Sequence, residues 1–294
     1  MTSDVTLTSD QIKQAVATLK TVRPAYKTLL DFYEQIFLAQ EDTRRQVEID
    51  PIRISEKILS IKAKEKLPLI SMSEFRIDSK SASLLLKKIC GIANGANKTM
   101  AASAKALLNA LEEKKLDPDL LFSGLIEEND TFYSQVEEKN GIDKKILAFL
   151  IYSAIQPSLV VCAEQLSTYL PDNEAWEKGY CPICGSVPGL SVLEGEGERF
   201  LFCGFCWHKW QVQRLYCPFC ENKDSKTLHY FFSEEEKELR VNVCDSCKKY
   251  IKTIDARKTE RIIYPPLEQV STLHLDIQAR EKGLESGAHL SLQT

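Results

Sequence analysis

The chain has 294 residues, 44% of them hydrophobic. That length suggests about two domains, and the composition supports a packed core rather than disorder. A net charge of −4 gives no general attraction to nucleic acid or to an anionic membrane.

The start, Met1-Thr2-Ser3-Asp4-Val5-Thr6, has neither a basic nor an apolar segment, so no secretory leader is expected. From there the first 175 residues read as helical and contain only Cys90 and Cys162 of the ten cysteines. Ser9 or Asp10 can cap a first helix with Ile12, Ala15, Val16 and Leu19 on its apolar face. Pro24 suits the first turn of a longer helix facing inward through Leu29, Leu30, Tyr33, Ile36 and Phe37. The charged residues from Glu41 to Glu48 form its solvated end. A short helix is predicted over 52–64, and Leu67-Pro68-Leu69-Ile70 is extended or looped because Pro68 disfavours helix before it.

Asp78 or Ser79 starts the next helix, with Leu84, Leu85, Leu86, Ile89 and Cys90, and Asn94-Gly95 ends it. Residues 99–114 are rich in helix formers, and 120–133 give a further helical stretch. Asn140-Gly141 is a turn and Asp143 a cap. The apolar run from Ile146 to Ala163 is interrupted by Ser153, Gln156, Pro157 and Ser158. It reads as a buried pair of helices, kinked or restarted at Pro157, rather than a membrane span. Pro171-Asp172-Asn173 ends it. Roughly seven or eight helices are expected, antiparallel where loops are short.

From Tyr180 to Ile254 cysteines, aromatics and glycines replace helical periodicity. Leu190–Leu193 and Arg199–Phe202 flank Gly195 and Gly197 and read as a hairpin leading into Cys203. Thr227–Phe232 and Leu239–Val243 flank Ser233 to Lys237 and read as a second, leading into Cys244. The plan of cysteine pair, hairpin, cysteine pair thus occurs twice, an approximate internal duplication. Leu267 to Gly283 reads as a final helix and 284–294 as a frayed end.

The other eight cysteines form four pairs of identical spacing: Cys181 and Cys184, Cys203 and Cys206, Cys217 and Cys220, Cys244 and Cys247. A two-residue gap lets both thiolates face one ion while the backbone curls around it, and two pairs complete a tetrahedral four-sulfur site. Four pairs predict two ions. Consecutive pairing groups the first two pairs and the last two; a cross-braced pairing of first with third is the alternative. Such spacing in a chain without a leader points to metal rather than disulfides. Four thiolates suit iron and zinc equally. Gly185 and Gly204 sit where a knuckle needs tolerant backbone dihedrals.

Catalytic zinc usually keeps three protein ligands and an open position. Here each set supplies four, and no nucleophile–base pair or phosphate loop accompanies them, so the metals are expected to fold the domain rather than perform chemistry. His208 could replace a sulfur, but nothing requires it. Aromatics crowd the region and could stack on bases, but packing a small two-metal core is the favoured reading. Between Cys181 and Lys252 there are 10 Lys and Arg against 10 Asp and Glu. Two divalent ions on eight thiolates leave the loaded segment negative, which argues against nucleic acid. Lys248, Lys249 and Lys252 read as a solvated strand edge, and Cys90 and Cys162 as core residues.

The segment Trp176-Glu177-Lys178-Gly179-Tyr180-Cys181-Pro182-Ile183-Cys184-Gly185 resembles the entry to the metal domain of the formate dehydrogenase accessory protein family, FdhE. So do Glu198-Arg199-Phe200-Leu201-Phe202-Cys203, Trp210, Arg214, Leu228-His229-Tyr230, the run from Cys244 to Lys252, and Leu273-His274-Leu275-Asp276, all in the same order. The likeness is good over roughly 175–283 and looser in the helical half. It implies an α+β chain: a helical domain over 1–175, two tandem rubredoxin-like or zinc-ribbon modules over 176–216 and 217–264, and a C-terminal helix and tail over 265–294. It also implies a cytoplasmic, non-enzymatic assembly factor holding iron or zinc and contacting the formate dehydrogenase catalytic subunit. It involves neither nucleic acid nor membrane insertion and leaves room for a homodimer. Trp207, His208 and Lys252 are candidate client contacts by position alone. A nucleic-acid-binding zinc ribbon and a rubredoxin-like redox carrier are the competing readings.

Overall fold

In the computed structural model of the chain, residues 5–171, 176–232 and 236–288 are described. Two compact units are formed, one from segments within 1–30, 53–70 and 166–289, the other from segments within 31–52 and 71–165.

Eight α-helices precede the cysteine-rich region among the described residues: α1 Ser9–Val22, α2 Lys27–Arg44, α3 Glu56–Lys64, α4 Ser79–Ala93, α5 Lys98–Glu112, α6 Pro118–Ile126, α7 Asp130–Asn140 and α8 Lys144–Ser167. The expected face of α1 is buried, but its cap is Thr8 rather than Ser9 or Asp10. Gln11 N–H donates to the Thr8 hydroxyl at 3.3 Å and Thr8 N–H to Gln11 Oε1 at 2.9 Å, a reciprocal capping box. Asp78 caps α4, accepting from Ser81 N–H at 3.1 Å. Gly141 ends α7 with φ 64°.

The pair of helices expected around Pro157 is a single helix, because α8 runs through the proline. Proline cannot bond the carbonyl four residues back, here Ser153. That carbonyl instead accepts from Gln40 Nε2 at 2.8 Å, in a buried contact. By length and composition α8 could cross a membrane, but 72% of its most apolar window is buried as in a core helix. Asp172 and Asn173, part of the expected stop, lie outside the described residues.

The cysteine-rich region builds one seven-stranded sheet rather than two separate ribbons. Its strands are β1 Pro188–Glu194, β2 Glu198–Cys203, β3 Lys209–Val212, β4 Leu228–Phe231, β5 Leu239–Cys244, β6 Lys249–Asp255 and β7 Glu285–Ser286. The two expected hairpins are β1–β2 and β4–β5. Each duplicated half contributes a third strand, β3 or β6, after its second cysteine pair. The order β3-β2-β1-β6-β5-β4 joins the halves through a parallel pairing of β1 with β6, Val192 opposite Ile254.

Lys252 is therefore not at a solvated edge. β6 lies between β1 and β5, and Lys252 is 5% exposed, its Nζ 2.7 Å from Asp276 Oδ2 and 2.9 Å from the Gln269 carbonyl. Tyr250 donates to the same carboxylate at 2.8 Å.

The single final helix expected is two, α9 Pro265–Ser271 and α10 Leu273–Glu281. Thr272 interrupts them with φ −120° and ψ 28°, its hydroxyl donating to the Glu268 carbonyl at 2.7 Å. Beyond α10 the chain is not frayed as far as it is described. β7 pairs with β6, Tyr250 opposite Ser286, while 289–294 lie outside the described residues. The fold is α+β, with the helical part first and the sheet and C-terminal helices after it.

Candidate metal centre

Each cysteine pair lies in a tight backbone knuckle. Gly185 N–H donates to the Cys181 carbonyl at 2.9 Å, Glu221 N–H to Cys217 at 2.9 Å and Lys248 N–H to Cys244 at 2.8 Å. The residue after each second cysteine is left-handed in all four knuckles: Gly185 at φ 77°, Trp207 at 62°, Glu221 at 59° and Lys248 at 59°. Gly185 thus meets the expectation of a tolerant dihedral, whereas Gly204 does not have a positive φ. It is small for another reason, because a Cβ there would lie 3.1 Å from the Val187 carbonyl oxygen.

The knuckles converge in two groups. Cys181, Cys184, Cys203 and Cys206 place their sulfurs within 4.8 Å of one another, and Cys217, Cys220, Cys244 and Cys247 do the same. This is the consecutive grouping; the first and third pairs share no cluster. Sγ–Sγ separations are 3.5 Å for Cys184–Cys203, 3.7 Å for Cys181–Cys206, 3.7 Å for Cys217–Cys247 and 3.6 Å for Cys220–Cys244. A disulfide needs about 2.05 Å. A tetrahedron with metal–sulfur bonds of about 2.3 Å has edges of about 3.8 Å, so both clusters have the dimensions of a closed four-thiolate ion site. His208, half-buried, joins neither.

The surroundings favour anionic sulfur unevenly. Phe205 and Cys206 N–H groups donate to Cys203 Sγ at 3.3 and 3.4 Å. Burial pushes the Cys181 and Cys206 thiols up, while hydrogen bonds from Cys181, Cys203 and Cys206 bring Cys184 down. At Cys244 burial is outweighed by hydrogen bonds from the Asn222 amide and the Cys247 and Ser246 backbone, which lower its thiol to about 6. The first cluster is wholly buried. In the second, Cys220 is exposed and Cys247 half-buried.

Both clusters are braced by segments outside the four pairs. Leu69 and Ile70 N–H groups donate to the Pro182 and Ile183 carbonyls, each at 2.9 Å, pinning the first knuckle. Gly179 and Gly287 pack without side chains against Pro218 and Phe219 of the third. Arg199, 2% exposed, donates to Ser191 Oγ at 2.9 Å and to the Tyr216 carbonyl at 2.6 Å. Burial lowers its guanidinium to about 10. None of these roles is visible in cysteine spacing, since each depends on pairing across the sheet or with a distant loop. Of the candidate client contacts, Trp207 (6% exposed) and Lys252 are buried and offer no surface to a partner.

The family model described as the FdhE central domain matches residues 180–214, and that described as the FdhE C-terminal domain matches 215–292. A protein named FdhE homolog from Aquifex aeolicus is 37% identical over 149 residues, 49% of this chain and 51% of that protein. Protein FdhE of Escherichia coli is 31% identical over 127 residues, 40% of each chain. The alignments thus span about half or less of these relatives. The crystal structure of the FdhE protein from Pseudomonas aeruginosa superposes with a TM-score of 0.65 over 98% of this chain and 97% of that one, at 17% identity, a likeness of fold. Over residues 180–292 the chain is similar to the FdhE central and C-terminal domains and to proteins named FdhE.

Proposed function

We propose that this protein is a cytoplasmic accessory factor for formate dehydrogenase, binding the catalytic subunit during its maturation and performing no chemistry itself. In this reading Cys181, Cys184, Cys203 and Cys206 hold one ion, and Cys217, Cys220, Cys244 and Cys247 a second, each iron or zinc. The observation that carries it is the pair of closed clusters built on one continuous sheet, in a segment that matches the FdhE central and C-terminal domain models. Four thiolates around an ion leave no position for a substrate, and the ion's binding energy becomes folding energy for the sheet. Nucleic-acid binding is not part of this role, and self-association into a homodimer is compatible with it.

Protein loaded with zinc or with iron would be added to extract of a strain lacking the factor. Subunit capture and restored formate dehydrogenase activity would then be measured. The scaffold reading expects both forms to capture and restore. If both capture but only iron restores, electron transfer through a rubredoxin-like site replaces it.

A further inference from the structure

One face of the sheet carries polar atoms that no described residue engages. The register puts Tyr230 beside Asn242, Asn242 beside Ile251 and Arg240 beside Thr253, so these side chains share a face. Arg199 lies on the same face, two rows away through Leu193 and Asp255. On it, Arg199 Nη2, Asn242 Oδ1 and Thr253 Oγ1 are buried and have no hydrogen-bond partner among the described residues. Leaving such groups unmet is unfavourable, and a ligand that bonds them recovers that cost.

Arg199 and Asn242 line a cavity of about 330 Å³ beside the second cluster. Its apolar walls include Leu215, Phe219 and Tyr230, and Arg214 and Lys249 add positive charge; among the described residues no carboxylate lines it. Leu215 is 59% and Tyr230 50% exposed. Within the sheet order β4 is the outer strand, bonded to β5 on one side, so its other edge can receive an extended chain.

Three demands therefore meet in one place. Arg199, Arg214 and Lys249 call for an anion, with a buried guanidinium donor suited to a carboxylate. Asn242 Oδ1 calls for an N–H. The walls and the outer strand call for an apolar side chain on an extended backbone. A peptide supplies all of these together, which a free inorganic anion does not. We propose that this pocket docks an extended acidic peptide segment of a protein partner, its carboxylates received along the positive lining of Arg199, Arg214 and Lys249 and a neighbouring apolar side chain laid between Leu215, Phe219 and Tyr230. The identification of that partner as the formate dehydrogenase catalytic subunit rests on the function proposed above; the pocket's chemistry does not.

The test uses the full chain with both ions bound. A displayed pool of random dodecapeptides is panned on it, and the binders are measured by fluorescence anisotropy. The expected binders carry Asp or Glu within two residues of an apolar side chain and weaken as salt rises. They lose affinity by about tenfold or more in Arg214→Glu and in Tyr230→Ser. Both positions are exposed, and metal content checks that the variants fold. Binders without acidic residues, or equal binding to Arg214→Glu, overturn the proposal. A second arm measures capture of the catalytic subunit. Capture lost in Arg214→Glu at full metal content supports the docking role, and capture undiminished there overturns it while leaving the maturation function standing. If the unaltered protein binds the acidic peptides but captures no catalytic subunit, the pocket stands and the maturation reading falls.

Discussion

At Gly179 and Gly287 the third knuckle leaves no room for a side chain. A Cβ on Gly179 would sit 1.8 Å from the Pro218 carbonyl oxygen, and one on Gly287 2.1 Å from the Phe219 ring. A ring can turn aside, but a knuckle backbone cannot without moving Cys217 and Cys220. Gly179→Ala is therefore expected to destabilise by about 2–3 kcal/mol and to deplete the second ion while the first stays bound. Gly287→Ala should cost less and leave both ions in place. Metal content and thermal melting distinguish the two. The left-handed residues predict the opposite sign. Glu221 and Lys248 hold φ near 59° with a Cβ present, so glycine at either position removes a left-handed strain of about 1 kcal/mol. The melting temperature should rise in Glu221→Gly, whereas Gly185→Ala, at φ 77° and 3.1 Å from Pro68 Cγ, should lower it. A fall on Glu221→Gly would mean that the flexibility added to the unfolded chain outweighs the strain relieved.

Among the elements, the four knuckles and two hairpins were readable because each is closed by residues close in sequence. Pair spacing and the Gly195 and Gly197 turn announce them locally. β3 and β6 carry no such signal. β3 returns onto β2 and β6 onto β5 across a cysteine knuckle rather than a glycine turn, β6 also pairing with the distant β1, and Lys252, charged in a strand, is buried where Asp276 arrives from α10 to meet it. Pro157 misleads for the same reason, since Gln40, far away in sequence, takes up the freed carbonyl. The orphaned Arg199, Asn242 and Thr253 atoms become visible only when strand register places them on one face. The elements also make the two clusters unequal. The first is enclosed by its knuckles and the Leu69–Ile70 segment, while the second leaves Cys220 exposed. A chromogenic chelator should accordingly remove ions in two phases, the second cluster emptying first. Cys220→Ser should abolish the fast phase alone, and Cys184→Ser the slow one. A single phase, or loss of both phases in either variant, would mean that the clusters do not bind independently.

At the scale of the whole molecule, the three tryptophans, Trp176, Trp207 and Trp210, all fall in the unit that holds both clusters, whereas α4, α5, α6, α7 and most of α8 belong to the other. Each unit therefore has its own optical reporter. Indole fluorescence follows the sheet, and far-ultraviolet ellipticity follows chiefly the helices. If the clusters bind ions as proposed, the sheet relies on them to offset chain entropy, because its knuckles use backbone in turns rather than in burial. The helical unit relies on apolar packing, with Leu86, Ile89, Leu107, Leu121, Leu147 and Ile151 wholly buried. Chelation at low denaturant should then shift the fluorescence to that of exposed indole while most helical ellipticity persists. Adding zinc back should restore the fluorescence. In a denaturant titration of the loaded protein the two signals should separate further as chelator is added, since only the unit with bound ions is stabilised by mass action. If ellipticity and fluorescence collapse together on chelation, the helical unit does not stand without the sheet, and the two units form one cooperative fold.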